Sequence, residues 1–267
     1  MLLVIDIGNT NVKMGVFKDK TLVASWRFSS SRTRTSDEYW LYLVSHLKEN
    51  GVNKSDITDV IIGSVVPNLN YTFSHLCEYS FGIKPVMLDH NMAGGLKTKY
   101  SDPRRLGADR IAVTLAAVRD YGAPLIVIDY GTATTFNVVN KDGEFIGGAI
   151  FTGIKTALDN LIKGTAQLPN IELSLPGGVI GTDTVGNMQS GFTYGFIGMT
   201  EYMVARIKEE EDIAYAKVIA TGGLAEVIAS GTKIFDCIDR QLSLKGLFCA
   251  FSSKNLISGR KGNKGQV

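Results

Sequence analysis

Cysteine and histidine each occur only three times in this chain of 267 residues, and neither set makes a chemical centre. Cys77, Cys237 and Cys249 are odd in number and show no Cys-x-x-Cys spacing, so neither a disulfide framework nor a zinc site follows. Buried free thiols in a reducing cytoplasm are the expectation. His46 and His75 lie within helical patterns and His90 follows the run Val86-Met87-Leu88. None accompanies a candidate Ser or Cys nucleophile, so triad chemistry is unsupported. Charge of one sign is also scarce. A net charge of +2 lacks the electrostatic footprint of a nucleic-acid binder, and no nucleic-acid partner is expected. The one dense basic stretch is the tail GRKGNKGQV, expected to fray. No apolar run approaches the roughly 20 residues needed to span a membrane. The opening MLLVI lacks a basic n-region and meets Asp6 at once, so it reads as a strand and not a signal peptide. No membrane partner is expected, and the cytoplasm is the expected location.

What the chain does have is a hydrophobic fraction of 45% with 20% charged residues, the balance of a soluble globular protein. Its length allows two domains of ordinary size. Within it a short stretch occurs twice. LLVIDIGNTNVKMGV at the start and LIVIDYGTATTFNVV from Leu125 align without a gap, with Asp6 over Asp129 and Gly8 over Gly131. Each is an apolar β-branched run ending in Asp-x-Gly and small polar residues, then a second run with strand character: a strand, a tight turn and a return strand. The turn residues offer backbone N–H groups and hydroxyls, and each Asp offers a hard oxygen for a cation. One such hairpin would read as an Asp-capped turn. Two of them, facing each other, would clamp a metal-bound polyphosphate.

The remaining pattern is α/β. Ser36-Asp37-Glu38 opens an amphipathic helix stopped near Gly51, and DVIIGSVVP reads as a buried strand ended by Pro67. A helix over 69–81, a strand over 84–88, the loop GGLKTKYSDPRRL and a helix RIAVTLAAVRDY follow. Asp109 sits where that loop meets its helix, where the dipole favours an anion. A strand over 144–150, a helix over 154–163, a long helix from Thr184 to about Glu211, the strand VIAT with Gly222-Gly223, and the strand TKIFDC complete the chain. Gly191, Gly195 and Gly198 along the long helix would let another helix approach closely, within the chain or across a dimer. Strands alternating with helices argue for layered α/β domains. The expected domains are 1–121 and 122–257, with 258–267 as a flexible basic tail.

The two Asp-x-Gly hairpins and the later Thr-Gly-Gly turn resemble the actin/hexokinase/Hsp70-like ATPase superfold. The implied fold is a pair of duplicated actin-like, ribonuclease H-like α/β domains with a nucleotide cleft between them. More closely, the chain resembles type III pantothenate kinase along nearly its full length. The motifs are Asp6-Ile-Gly-Asn-Thr-Asn-Val-Lys13, Tyr100 in KYSDPRRLGADR, Gly107-Ala-Asp-Arg110 and Asp129-Tyr-Gly-Thr-Ala-Thr-Thr135. Gly147-Gly148-Ala149, Asn187-Met-Gln-Ser-Gly191 and Ala220-Thr-Gly-Gly-Leu224 continue the match.

The resemblance implies ATP-dependent phosphorylation of pantothenate to 4'-phosphopantothenate, the first step of coenzyme A synthesis, by a cytoplasmic homodimer using Mg²⁺ and a monovalent cation, K⁺ or NH₄⁺. By the same resemblance Asp6, Ile7, Gly8, Asn9, Thr10, Asn11, Val12 and Lys13 hold the ATP phosphates, with Asp6 on the Mg²⁺ side. Thr132 contacts phosphate and Asp129 ligates the monovalent cation. Asp109 is the general base for the primary hydroxyl of pantothenate, and Tyr100, Gly107, Ala108, Arg110 and Thr184 line the pantothenate pocket with it. From residue type alone, Asp109 could instead cap its helix, Arg110 could serve an ion pair, and Thr184 could cap the long helix or reach across a dimer. The Gly222-Gly223 turn is expected near the adenosine.

Two departures stand out. Many relatives carry Pro-Gly where this chain has Phe151-Thr152-Gly153, and Asp-Pro where it has Asp239-Arg240. The alternatives are a kinase for another small hydroxylated acceptor, which the fold tolerates, and a non-catalytic regulatory relative. The retention of Asp6, Asp109 and Asp129 together argues against the latter. A filament protein of the actin type would need polymer-contact insertions that this chain lacks.

Overall fold

The computed structural model describes residues 1–90 and 96–262, the side chains of 255–262 excepted. Gly94 and Gly95 of the expected loop, and 263–267 of the expected tail, lie outside the described residues. The chain forms two compact units, Met1–Leu96 with Ser101–Ala116 and Leu242–Val267, and Lys97–Tyr100 with Ala117–Gln241.

In the first unit, strands β1 (Leu2–Ile7), β2 (Asn11–Lys18), β3 (Thr21–Ser29), β4 (Asp59–Ser64) and β5 (Val86–Met87) form a sheet in the order β3-β2-β1-β4-β5. β1 runs antiparallel to β2 and parallel to β4. It is buried on both faces, which is why it reads as an unbroken apolar run. Helix α1 (Ser36–Glu49) starts with a full capping box between Thr35 and Glu38. Helix α2 (Pro67–Phe81) starts on Pro67, whose fixed φ suits a first helical position, so this proline ends the strand segment and opens the helix. It stops at Gly82, with φ +71°. Ile5, Ile7, Val12 and Met14 pack with Tyr39, Leu43, Phe73 and Leu76 in one core.

Helix α7 (Leu242–Gly262) packs against β1, β2 and β4 of the same unit. Glycines on the sheet make room for it. A Cβ at Gly63 would lie 2.8 Å from Leu247 Cδ2, and one at Gly15 would lie 3.1 Å from Leu244 Cδ1. Contacts therefore assign the last described helix to the unit that begins the chain, and the boundary falls inside helix α3 (Ala108–Tyr121).

The second unit repeats the plan. Strands β7 (Leu125–Tyr130), β8 (Ala133–Val139), β9 (Glu144–Thr152), β10 (Lys217–Gly222) and β11 (Cys237–Ile238) take the order β11-β10-β7-β8-β9, the order of the first sheet, and β6 (Lys97–Thr98) extends it beyond β9. Helices α4 (Ile154–Lys163), α5 (Thr184–Glu210) and α6 (Ala225–Ala229) complete it. The architecture is that of duplicated actin-like ATPase domains.

Register corrects the gapless alignment of the two hairpins. Asp6 pairs with Lys13, whereas Asp129 pairs with Thr135, one position short of the residue that aligns with Lys13. The second turn is one residue tighter, so Phe17, and not Val16, is the counterpart of Val139. The irregularities where each return strand pairs with the third strand agree, lying at Val16/Phe17 on β2 and at Val138/Val139 on β8. The cysteines also differ from expectation. All three are free, but only Cys77 is fully buried, its thiol pushed up to about 12 by desolvation.

Candidate active site

In the first hairpin Asp6 stands one residue before the end of β1, and its neighbours are Lys13 on β2 and Gly63 on β4. The turn closes when the Gly8 N–H donates to the Asn11 carbonyl at 3.0 Å. Asn9 and Thr10 are exposed at its tip, while Ile7 and Val12 are completely buried in the core and can offer a ligand only their backbone. Just past β3, Ser30 holds this turn from behind. Its N–H donates to the Thr10 carbonyl at 2.9 Å, and its hydroxyl to the Gly8 carbonyl at 2.6 Å.

Gly107, Ala108, Asp109 and Arg110 stand at the entry to α3 in the same unit. Asp109 lies in the first turn and not at the cap, and its Oδ1 accepts the Arg110 N–H at 2.8 Å. Burial raises its pKa above the ordinary carboxylate value, and the Asp6 charge raises it further, against the Arg110 N–H and the Arg110 charge, which lower it. Gly107 leaves the space that the carboxylate occupies, since a Cβ there would lie 2.5 Å from Asp109 Oδ1. Arg110 is 7% exposed, and its carbonyl accepts the Thr114 hydroxyl at 2.7 Å.

The other expected site residues belong to the second unit. Asp129 stands one residue before the end of β7, beside Thr221, and Gly222 follows Thr221 with φ +97°. A Cβ at Gly222 would lie 2.6 Å from Asp129 Oδ1, so the Thr-Gly-Gly turn packs on this carboxylate, a contact that the sequence pattern did not reveal. Thr132 is exposed at the turn. Its carbonyl accepts the Gly153 N–H at 3.1 Å and the Thr156 hydroxyl at 2.8 Å. Gly153 belongs to the Phe151-Thr152-Gly153 departure and keeps the glycine that this close approach demands.

Tyr100 donates its N–H to Thr98 Oγ1 at 2.9 Å, and its ring lies 5.9 Å from that of Phe145. Thr184 opens α5 but does not cap it. The cap is Asp183, which accepts the Gly186 N–H at 2.8 Å. Thr184 lines a largely apolar pocket of about 640 Å³ with Asn187, Met188, Gly191, Phe192 and Phe151. At the other departure Arg240 pairs with Glu226, and Asp239 accepts the Gln241 N–H at 2.9 Å.

Among the described residues, no three His, Cys, Asp or Glu side chains gather as a metal cluster. The donors present suit cations that lean on other oxygens. Asp6 and Asp129 are single carboxylates at strand ends, and Mg²⁺ commonly takes one or two protein oxygens with phosphates and water.

The family model described as type III pantothenate kinase matches residues 2–206. A type III pantothenate kinase of Finegoldia magna is 44% identical over 249 residues, covering 92% of this chain and 95% of that protein. One of Bacillus cytotoxicus is 39% identical over 262 residues, covering 98% and 100%. Among solved structures, a Campylobacter jejuni protein assigned to the Baf family of transcriptional activators superposes with a TM-score of 0.61 at 18% identity, covering 95% of this chain and 99% of that one, a likeness of fold alone. The chain belongs to the type III pantothenate kinase family.

Proposed function

We propose that this chain transfers the γ-phosphoryl group of ATP to the primary hydroxyl of pantothenate, giving 4'-phosphopantothenate and ADP at the entrance to coenzyme A synthesis. Family membership supports the reaction, and the half-buried Asp109, whose pKa is raised by burial and by the Asp6 charge, is the observation that carries the mechanism. Phosphoryl transfer asks for positioning, charge neutralisation and a base. Asp109 takes the hydroxyl proton as that oxygen bonds to the γ-phosphorus, while the bond from phosphorus to the bridging oxygen breaks. A carboxylate held above its usual pKa is a better base for this step than a solvated one. Arg110 offers a planar fork to the pantothenate carboxylate or a phosphate oxygen. Tyr100 and Thr184 contact the rest of pantothenate.

The turn from Asp6 to Lys13 holds the nucleotide phosphates through its backbone and the side chains of Asn9, Thr10 and Lys13, and Thr132 does so in the second hairpin. Asp6 would hold Mg²⁺, which supplies neutralisation of phosphate charge when bound, and Asp129 would hold the monovalent cation. The Gly222-Gly223 turn lies near the adenosine.

A homodimer belongs to the same proposal. Gly191, Gly195 and Gly198 face open space on α5, since a Cβ at any of them would meet nothing within 4 Å, and Tyr202 and Val185 beside them are exposed. An open stripe of small residues on a helix of this length suits a second copy and not an internal helix pair. No described helix is long and apolar enough to cross a membrane, and the cytoplasm is the proposed location.

The test is ADP release with Mg-ATP and pantothenate, with and without K⁺, beside a panel of sugars. Pantothenate-dependent, K⁺-stimulated turnover is expected. Turnover on a sugar alone would overturn the substrate, and no turnover in folded protein would overturn the kinase reading.

A further inference from the structure

The two hairpin turns are held by matching braces. Each comes from residues that follow the third strand of its sheet. In the first unit the Ser30 N–H donates to the Thr10 carbonyl at 2.9 Å and the Ser30 hydroxyl to the Gly8 carbonyl at 2.6 Å. In the second the Gly153 N–H donates to the Thr132 carbonyl at 3.1 Å and the Thr156 hydroxyl to the same carbonyl at 2.8 Å. Ser30 follows β3, which ends at Ser29, and Gly153 follows β9, which ends at Thr152. One backbone N–H and one hydroxyl thus seize turn carbonyls in both halves, although the turns differ in length.

A peptide unit is planar and trans, so its C=O and N–H point in opposite directions. Fixing the Thr132 carbonyl on the start of α4 therefore turns the Ala133 N–H away from α4. Fixing the Gly8 and Thr10 carbonyls on Ser30 likewise turns the Asn9 and Asn11 N–H groups away from Ser30. Within each turn, backbone donors turned away from their brace suit an anion, and donors fixed beforehand lose little entropy when it binds.

We propose that Ser30 and Thr156 are positioning residues that aim the two hairpin turns at the nucleotide phosphates, acting through the carbonyls of Gly8 and Thr132. The inference rests on the reading that these turns hold ATP. It assigns no contact between either hydroxyl and the nucleotide.

The variants are Ser30→Ala, Thr156→Val, which keeps the shape and removes the hydroxyl, and Thr156→Ser, which restores it. The readouts are the Kd for Mg-ADP by titration calorimetry, the melting temperature, and separate KM values for ATP and pantothenate. One net hydrogen bond is worth about 1 kcal/mol, or about fivefold in a binding constant. Ser30→Ala and Thr156→Val should each weaken Mg-ADP and raise KM for ATP by about fivefold, with KM for pantothenate unchanged and Thr156→Ser close to the parent. Asp6→Asn and Thr132→Val serve as controls for the underlying reading. If the controls weaken the nucleotide while Ser30→Ala and Thr156→Val do not, the braces are overturned and the hairpins stand. If the controls also leave the nucleotide unaffected, the hairpin reading falls with them. Equal loss for both substrates together with a lowered melting temperature would reduce the braces to general stabilisers and overturn the proposal.

Discussion

Replacing Asp109 with asparagine removes a charge and almost no shape. The new amide oxygen can still accept the Arg110 N–H that Asp109 Oδ1 accepts at 2.8 Å, so the first turn of α3 should keep its form. What disappears is the ability to take a proton. General-base assistance is worth about 10²- to 10⁴-fold, and a loss of that size in kcat is expected with nucleotide affinity largely kept. Stability should move the other way. The raised pKa means that the folded chain holds the Asp109 proton more tightly than the unfolded chain does. Stability tied to this group is then fullest below the ordinary carboxylate range and is lost as pH rises through the raised value. Ionising the half-buried Asp109 carries a desolvation cost that the amide does not. Each unit of raised pKa corresponds to about 1.4 kcal/mol, so the gap in unfolding free energy between variant and parent reads the shift directly. Turnover, Mg-ADP calorimetry and thermal melts at neutral and acid pH should give a slow, nucleotide-binding variant that melts higher than the parent near pH 7, with the difference closing in acid. Normal turnover would remove Asp109 from the base role. A variant that melts lower at neutral pH would refute the electrostatic reasoning.

Asp6→Asn removes the negative charge that helps to raise the pKa of Asp109, so the acid limb of the rate profile should shift to lower pH and the Mg²⁺ requirement should rise; an unmoved limb and unchanged Mg²⁺ dependence would contradict both roles. Asp129→Ala should weaken activation by K⁺, and a K⁺ titration identical to the parent's would refute that assignment. Gly107→Ala would place a Cβ 2.5 Å from Asp109 Oδ1 and push the carboxylate aside. Displacements of about 1 Å can cost about 100-fold, so kcat should fall steeply with ATP affinity kept, and an unaltered kcat would show that the carboxylate has slack. Leu247→Ala empties a completely buried site between α7 and the first sheet and should cost about 2–5 kcal/mol in a chemical denaturation experiment, whereas a change below about 1 kcal/mol would mean that the helix is loosely packed.

The hairpins were legible because each central strand must be apolar on both faces and must end where polar groups are needed, a pattern written in consecutive residues. The spans of α1 and α4 were equally local, set by Thr35 and Glu38 in one case and by flanking glycines in the other. The turn lengths were not legible, because identical apolar runs align with or without a one-residue slip, and only pairing decides. The strand expected over 84–88 formed as β5, Val86–Met87, but β6 and β11, two residues each, were not legible, because their strand character comes from the neighbour they join. The strand expected over TKIFDC meets β11, Cys237–Ile238, only at Cys237. In the candidate site, Asp6, Asp109 and Asp129 stood out by motif. The support of Asp129 by Gly222, and of the two turns by Ser30 and Thr156, depends on contacts between distant parts of the sequence that no local pattern encodes.

The return of α7 to the first sheet sets an order of events during synthesis. β1, β2 and β4 leave the ribosome well before Leu244 and Leu247, which cover one face of their sheet. Until then that face is exposed to whatever apolar surface it meets, and the contacts that close it span nearly the whole sequence, the kind of pairing that forms slowly. The second unit, contained almost wholly in Ala117–Gln241, has all its strands and helices in hand before α7 is translated. A nascent chain stalled before α7 would therefore carry the strands and helices of the second unit together with an unclosed first sheet, and the half made first would wait for α7.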